Sequence, residues 1–164
     1  MLRPLTNFFS VMPQHIPDTI KKGEIIILVF EIDSTQEKWS DYDTILSKNE
    51  KNKAHEFQHP DDRLSFTKCR SILRSTLSKW LNCAPNEINI IHRENGKPYL
   101  EHSKVIEFNI THTKGLAAIA FSIDSEIGID VENLNREINL DQVAKKVFTK
   151  SEQSLIDSNN QKDK

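Results

Sequence analysis

The chain lacks the features that mark several classes of protein. It has only two cysteines, Cys69 and Cys83, and neither stands in the pair spacing of a metal site, so we expect free thiols. The apolar run Ile25–Phe30 is far too short to cross a membrane. The N-terminus has no hydrophobic signal core, and we therefore predict a cytoplasmic protein. With a net charge of −2 the chain has no basic surplus, which argues against nucleic acid as a partner.

What the chain does contain is typical of a globular protein. Apolar residues make up 37% and charged residues 28% of its 164 residues. That length suits one domain with a sizeable core, or two small halves packed together. Residues 1–23, with three prolines, are predicted to be an irregular lead-in. The stretch Glu24–Asp33 predicts a strand buried on both faces, because its apolar run is not interrupted by polar residues.

The most regular pattern predicts a long helix that begins at Pro60. Asp61 and Asp62 fall in its first turn, where acids suit the helix dipole. An apolar stripe at helical spacing follows. Its members are Cys69, Ile72, Leu73, Leu77, Trp80 and Leu81. The other face is basic, a pattern that is usually solvated but that also suits phosphate contacts. Its members are Arg63, Lys68, Arg70, Arg74 and Lys79.

The remaining sequence predicts shorter elements. The polar stretch Trp39–Phe57 indicates one or two exposed helical segments. Short strands are expected at Glu87–His92, Lys104–Thr111, Leu116–Ile123 and Glu126–Glu132. Turns are expected at Asn95-Gly96 and Lys114-Gly115. Capping-box patterns predict two late helix starts. They pair Asn139 with Gln142 and Thr149 with Glu152.

The strand predicted at Glu126–Glu132 sets two carboxylates on one face. In extended chain Asp130 and Glu132 point the same way as Gly128, and the apolar residues between them point the other way. Two acids with Cα atoms about 6.5–7 Å apart repel each other unless a cation lies between them. Mg²⁺ uses one or two carboxylates together with phosphate oxygens and water. On its own the pattern is therefore either a magnesium site or a solvated acidic face.

Three motifs occur in a fixed order around this strand. They are Asn95-Gly96-Lys97-Pro98-Tyr99, Phe108-Asn109-Ile110-Thr111-His112-Thr113 and Gly128-Ile129-Asp130-Val131-Glu132. Together they resemble the Sfp-type 4′-phosphopantetheinyl transferases. The later run Val147-Phe148-Thr149-Lys150-Ser151-Glu152 is similar to that family's next segment. The resemblance covers residues 24–157.

The resemblance implies a Mg²⁺-dependent enzyme that transfers the phosphopantetheine arm of coenzyme A to a serine of an acyl or peptidyl carrier protein. Asp130 and Glu132 match the family's metal ligands and catalytic acids. The metal would neutralise charge on the coenzyme A pyrophosphate. Coenzyme A, Mg²⁺ and the carrier protein are thus the implied substrate, cofactor and partner.

Coenzyme A contacts are implied at two further motifs. Lys97 and Pro98 match a position beside the adenosine 3′-phosphate and base, although an ordinary hairpin turn would look the same. Thr111 and His112 match a pair that contacts coenzyme A phosphates, and both side chains can donate hydrogen bonds. A histidine at the end of a strand can equally be structural.

Three more contacts are implied near the start of the long helix. Arg63 matches the family's Asp-Arg helix start, and Ser65 falls on a hydroxyl or basic position that touches a phosphate. Lys53 matches one of a pair of coenzyme-binding lysines, whose partner position here is Glu50. For each of these residues a plain solvated side chain is the alternative.

The resemblance also implies the fold, which is α+β with two similar halves and coenzyme A between them. This chain would hold one complete half, residues 24–115, and a truncated second half, residues 116–164. The family's later Trp-x-x-Lys-Glu-x-x-x-Lys helix, whose glutamate completes the site, is absent from the sequence. We therefore expect self-association or marginal stability. A non-catalytic coenzyme A or carrier-protein binding module, or an inactive remnant, is the alternative to an enzyme.

Overall fold

The computed structural model describes residues 5–10, 16–101, 105–133, 143 and 146–153. The chain divides into two compact units, Met1–Glu132 and Asn133–Lys164. The division that we expected after residue 115 stays a prediction. The elements are β1 (Leu5–Ser10), β2 (Glu24–Glu31), α1 (Lys48–Glu56), α2 (Pro60–Leu81), β3 (Ile90–His92), β4 (Pro98–Leu100), β5 (Ile106–Thr113) and β6 (Leu116–Ile123). The fold is α+β, as the resemblance implies. Among the described residues, none of the helices has both the length and the apolar character needed to cross a membrane.

A four-stranded sheet in the order β1-β2-β6-β5 forms the centre of the first unit. β1 runs parallel to β2, and the other neighbours are antiparallel. β6 lies between β2 and β5 and is buried along most of its length. Phe121 of β6 pairs with Ile26 on one side and with Phe108 on the other. These three side chains belong to the core between the sheet and α2.

The long helix predicted from Pro60 is confirmed as α2. Proline suits the first helical position because its missing N–H is not needed there. Asn82 ends the helix in the left-handed conformation, with φ of 53°, a common way to close a helix. A Ser47–Glu50 capping box begins α1.

α2 covers one face of the sheet with its apolar stripe. Trp80 meets Phe121 edge-on, with ring centroids 4.9 Å apart. Leu81, at the end of the stripe, is 39% exposed. The basic face is not the solvated surface that such a pattern usually forms, because Arg70 and Arg74 are buried at 8% and 2% exposure.

β2 is buried on one face only, which corrects the prediction of burial on both. Its core face carries Ile26, Leu28 and Phe30. The residues between them, on the face turned away from α2, are half-buried. The lead-in is not wholly irregular, because β1 lies inside it and pairs with β2. The prolines on either side of Leu5–Ser10 hide this strand in the sequence.

The strands predicted after Pro85 are confirmed in part. β6 matches its predicted range, and β5 begins at Ile106 and continues to Thr113. The range Glu87–His92 shrinks to β3, because the chain first makes a 3-10 turn at Pro85–Glu87. β3 and β4 form a hairpin whose turn holds Gly96 at φ of 81°.

The strand predicted at Glu126–Glu132 is wrong. This stretch joins no sheet, and the hydrogen bonds that hold it are described below. In the second unit the capping box at Thr149 is confirmed, since Thr149 N–H donates to Glu152 Oε2 at 2.7 Å and the two side chains bond at 2.8 Å. The pair Asn139 and Gln142 lies outside the described residues.

Candidate functional site

The acidic segment, residues 127–132, is attached to β5 by side chains. The Asn109 carboxamide oxygen accepts the main-chain N–H of Ile129 at 3.2 Å. The Thr111 hydroxyl oxygen accepts that of Val131 at 3.3 Å. The same hydroxyl donates its proton to Asp130 Oδ1 at 3.0 Å. The segment therefore has a defined position although it belongs to no sheet.

Exposure alternates along the acidic segment as the sequence predicts. The exposed residues are Gly128, Asp130 and Glu132, and the half-buried ones are Ile127, Ile129 and Val131. Both carboxylates thus reach solvent from one side of the segment. A carboxylate has about four acceptor sites on two oxygens, so the bond from Thr111 leaves Asp130 able to bind a cation.

The donor set at the acidic segment fits Mg²⁺ bound together with a phosphorylated ligand. Among the described residues, no three His, Cys, Asp or Glu side chains form a cluster that could enclose a metal by themselves. Mg²⁺ does not need such a cage, because it retains water and takes phosphate oxygens beside one or two carboxylates. Asp130 and Glu132 supply that pair.

The β3–β4 hairpin places Lys97 against the acidic segment. Lys97 Nζ donates to the Ile127 carbonyl at 2.9 Å, and the Asn95 side chain accepts the Lys97 N–H at 3.1 Å. Pro98 follows directly as the first residue of β4. The predicted lysine is therefore held at the Ile127 carbonyl, three residues before Asp130, and does not extend freely into solvent.

Arg93 ties this hairpin to β5. Its guanidinium lies 3.3 Å from the Glu107 carboxylate, forms an ion pair with Glu126 and stacks 5.5 Å from the centre of the Tyr99 ring. The hydrogen bond from Arg93 holds the pKa of Glu126 below its usual range. Arg93 was not among the residues predicted from the sequence. The only available signal was a basic residue just before the Asn-Gly turn.

Ser65 and His112 share a cleft of about 860 Å³. The cleft lies between the end of β2, the start of α2 and the β5–β6 turn. Ser65 Oγ donates to the Asp61 carbonyl at 2.8 Å, so this hydroxyl is already bonded within the helix. His112 is exposed at the end of β5. The cleft lining is mixed in charge, with Lys114 facing several carboxylates, Asp61 among them.

Arg63 and Lys53 lie apart from that cleft lining. Arg63 Nη2 donates to the Phe57 carbonyl at 2.9 Å, and its guanidinium stacks 5.4 Å from a Trp39 ring centre. Lys53 is exposed on α1 and pairs with Glu56 at 2.8 Å. It lines a second cleft, of about 700 Å³, between α1, α2 and β3.

A buried basic cluster, consisting of Glu50, Arg70 and Arg74, borders the second cleft. Arg74 binds the Glu50 carboxylate and donates to two main-chain carbonyls at 2.6 and 2.9 Å. Arg70 Nε lies 3.9 Å from Glu50, and its Nη2 lies 3.1 Å from His92 Nε2. Glu50, which stands where the resemblance expects a lysine, is thus committed to structural contacts.

The structure brings some of the predicted site residues together and leaves others apart. Asp130, Thr111 and Lys97 meet at the acidic segment, with Pro98 and Glu132 next to them in sequence. Ser65 and His112 meet in the first cleft. Arg63 and Lys53 join neither group. Asn109 is a further functional candidate that was not predicted, although it lies inside the motif of residues 108–113.

The sequence of the chain matches that of a known protein family. A family model described as "4′-phosphopantetheinyl transferase, N-terminal" matches residues 32–124, which is more than half of the chain. The chain belongs to the 4′-phosphopantetheinyl transferase family.

Individual relatives agree with the family match. The chain is 31% identical over 143 residues to the 4′-phosphopantetheinyl transferase HetI of Nostoc sp., with 85% of this chain and 60% of that protein covered. It is 30% identical over 121 residues to the 4′-phosphopantetheinyl transferase Sfp of Bacillus subtilis, with 73% and 52% covered. A putative 4′-phosphopantetheinyl transferase of Synechocystis sp. is 28% identical over 119 residues, with 71% and 48% covered. The chain spans about half to three fifths of the length of these curated relatives.

Proposed function

We propose that the chain acts as a 4′-phosphopantetheinyl transferase, moving the phosphopantetheine arm of coenzyme A to a serine of an acyl or peptidyl carrier protein. The observation that carries this proposal is the anchoring of Asp130 by the Thr111 hydroxyl, on a segment that also exposes Glu132. Two exposed carboxylates beside Lys97 form a surface suited to Mg²⁺ and a diphosphate bound together.

Asp130 and Glu132 are the proposed metal ligands and catalytic acids. Bound Mg²⁺ would neutralise charge on the pyrophosphate whose phosphorus–oxygen bond breaks. Thr111 holds Asp130 in place, so the carboxylate needs less ordering to act as a ligand. In the proposed reaction the carrier serine oxygen bonds to the phosphorus on the pantetheine side of the pyrophosphate, and the bond from that phosphorus to the bridging oxygen breaks. Adenosine 3′,5′-bisphosphate leaves with the bridging oxygen, and the serine proton passes to water.

Coenzyme A contacts are proposed for the side chains around the acids. Lys97, followed by Pro98, can exchange the Ile127 carbonyl for a phosphate and gain a charge-assisted bond. His112 and Ser65 share a cleft, which supports contacts from both to one phosphorylated ligand.

Three other proposed contacts depend on the resemblance alone. Thr111 donates its single hydroxyl proton to Asp130, so a direct bond from this hydroxyl to a phosphate requires that proton to be redirected. Arg63 and Lys53 lie outside the first cleft, and their phosphate contacts stay predictions.

Transfer is measured by the mass of an apo carrier protein after incubation with this chain, coenzyme A and Mg²⁺. We expect the carrier serine to gain the phosphopantetheine mass, and Asp130→Ala to lower the rate by about 100-fold or more, because several kcal/mol of transition-state charge stabilisation are removed. Asp18→Ala is the matched control, since it removes an exposed carboxylate that pairs with Lys79 on the surface.

Calorimetric titration with coenzyme A separates the alternatives. Coenzyme A binding without transfer would identify a non-catalytic binding module and contradict the enzyme proposal. A chain that binds neither coenzyme A nor the carrier would be an inactive remnant. If Asp130→Ala kept the Mg²⁺-dependent affinity for coenzyme A, the metal-site assignment would be wrong.

Self-association is proposed as well. The sheet face turned away from α2 leaves Ile25, Ile27 and Val29 only half-buried, and such apolar surface favours contact between copies. Size-exclusion chromatography with light scattering tests this. A monomer that unfolds cooperatively across the micromolar range would contradict it.

A further inference from the structure

The bonds between β5 and the acidic segment follow a regular spacing. Asn109 bonds the N–H of Ile129, and Thr111 bonds the N–H of Val131. Each bonded residue of the segment is thus twenty residues after its partner on β5. The two acceptors are two residues apart on β5, and the two N–H groups are two residues apart on the segment. Because residues two apart on a strand share a face, these two acceptors project from the same face of β5.

These side chains take the place of a strand partner. In the described part of the chain, the hydrogen bonds between β5 and the acidic segment come from side chains, and no main-chain bond joins the two. Two N–H groups of the segment therefore depend on Asn109 and Thr111 for their bonds. Asp130 lies between those two N–H groups, so its position along β5 is fixed from both sides.

Thr111 alone cannot define the path of the segment. Its hydroxyl contacts Asp130 and Val131, which are adjacent residues, and the segment could pivot about that point. Asn109 provides a second fixed point at Ile129, on the other side of Asp130. Lys97 adds a third at the Ile127 carbonyl.

We propose that Asn109 is a positioning residue, which uses its carboxamide oxygen to set the acidic segment along β5 so that Asp130 and Glu132 present their carboxylates to one cation. The inference rests on the proposed function. In the described part of the chain the Asn109 side chain is bonded to the Ile129 N–H of the segment, so its proposed role is exerted through the segment. Partners that orient metal ligands in this way typically change metal affinity by about 10- to 100-fold when they are removed.

Amide hydrogen exchange measured residue by residue tests the contact without any ligand. In Asn109→Ala we expect the Ile129 amide to exchange about five- to ten-fold faster than in the unmodified chain, because one net hydrogen bond is lost. Asn109→Asp keeps an acceptor oxygen at the same place, so the Ile129 amide should stay protected. Asn52→Ala, at an exposed position on α1, controls for loss of a carboxamide elsewhere.

The second readout is the affinity for Mn²⁺, followed by electron paramagnetic resonance in the presence of coenzyme A. Asn109→Ala should weaken Mn²⁺ binding by about ten-fold or more, and Asn52→Ala should not. If Asn109→Ala failed to fold, Thr111→Val would remove the other bond, and the Val131 amide would then be the group that loses protection.

Two results would overturn the inference. One is unchanged protection of Ile129 in Asn109→Ala, and the other is lost protection with unchanged Mn²⁺ affinity. Failure of the proposed function looks different, because Mn²⁺ would then not bind the unmodified chain, or would bind Asp130→Ala equally well. In that case positioning for a cation is overturned too, while the exchange data still report the Asn109 contact.

Discussion

The chain has two groups of charged side chains in opposite environments, one buried and one exposed. In the buried basic cluster, Arg74 is 2% exposed, and its guanidinium is bonded to Glu50 and to main-chain carbonyls. In the acidic segment, Asp130 and Glu132 are exposed, and a neutral hydroxyl anchors Asp130. The first group has its opposite charge built into the fold, whereas among the described residues no ion pair with Asp130 is found.

This difference separates structural from functional charge. Burial of a guanidinium is tolerable only with bonded partners, so the cluster contributes to the joint between α1 and α2. An exposed carboxylate lowers the stability of the fold only slightly. Two neighbouring exposed acids can therefore remain available to bind a cation from solution. The proposed activity therefore depends on the acids, and the stability of the fold depends on the arginines.

The largest expected effect is a loss of stability in Arg74→Ala. The substitution removes the guanidinium from two carbonyls and from the Glu50 carboxylate, which then keeps only the hydrogen bonds from Ser47 and the more distant charge of Arg70 among the described residues. We expect the free energy of unfolding to fall by about 3–5 kcal/mol, measured by urea denaturation. Asp130→Asn, the matched change in the acidic segment, should stay within about 0.5 kcal/mol of the unmodified chain.

The double variant Arg74→Met with Glu50→Leu tests the cause of that loss. Removing both charges should recover much of the stability lost in Arg74→Ala. The recovery should fall short by about 1 kcal/mol, because Glu50 also caps α1. Equal losses in Arg74→Ala and Asp130→Asn would show that the two charged groups do not differ in this way.

The fold was largely predictable where a regular pattern covers a whole element. The helix from Pro60 and the strand Leu116–Ile123 follow from periodicity and from flanking turn residues. β1 did not follow, because six residues between prolines give little signal. The burial of Arg70 and Arg74 also did not follow, since it depends on a carboxylate from another helix, Glu50.

The sequence motifs named candidate site residues but not the hydrogen bonds between them. The motifs predicted that Asp130, Thr111 and Lys97 act together. The structure bonds Thr111 to Asp130 and Lys97 to the Ile127 carbonyl, and their joint role in a site stays a prediction. The segment was wrongly expected to be a strand. Apolar and acidic residues alternate in any extended chain, whether its main-chain N–H groups are bonded by a neighbouring strand or by side chains. The role of Asn109 depends on a contact twenty residues away, which no local pattern reveals.

A smaller effect is expected from Lys97→Met, which removes the bond from Lys97 Nζ to the Ile127 carbonyl. In the ligand-free chain the amide of Ile129 should exchange about two- to three-fold faster, less than in Asn109→Ala, because its own acceptor is retained. The stability of the buried basic cluster should not change. An increase larger than that of Asn109→Ala would show that the hairpin, and not β5, positions the acidic segment.

Acidification should weaken the region of the buried basic cluster through His92. Partial desolvation and the nearby Arg70 guanidinium lower the pKa of His92 in the folded chain, although His92 is exposed, and Glu50 opposes this only in part. The unfolded chain therefore takes up the proton first, near pH 6.5, and stability is lost as the pH falls through that value toward the folded-state pKa. Thermal unfolding at pH 7.5 and 5.5 should show a smaller decrease for His92→Gln than for the unmodified chain. An equal decrease in both would remove His92 from this explanation.

The smallest effect is expected at Cys69. Its alkylation rate should not change when the acidic segment is altered. Cys69 neighbours Arg70 in α2, is 4% exposed, and burial raises the pKa of its thiol to about 12. In a Cys83→Ser background, which leaves one thiol, a soluble alkylating reagent should therefore react only as fast as α2 opens. Adding Asn109→Ala should release the Ile129 amide and leave this rate unaltered, because the two regions share no hydrogen bond that we find among the described residues. If the alkylation rate at Cys69 rose together with the amide exchange rate at Ile129, the acidic segment and α2 would open as one unit. The functional and the structural charges would then belong to parts of the chain that move together.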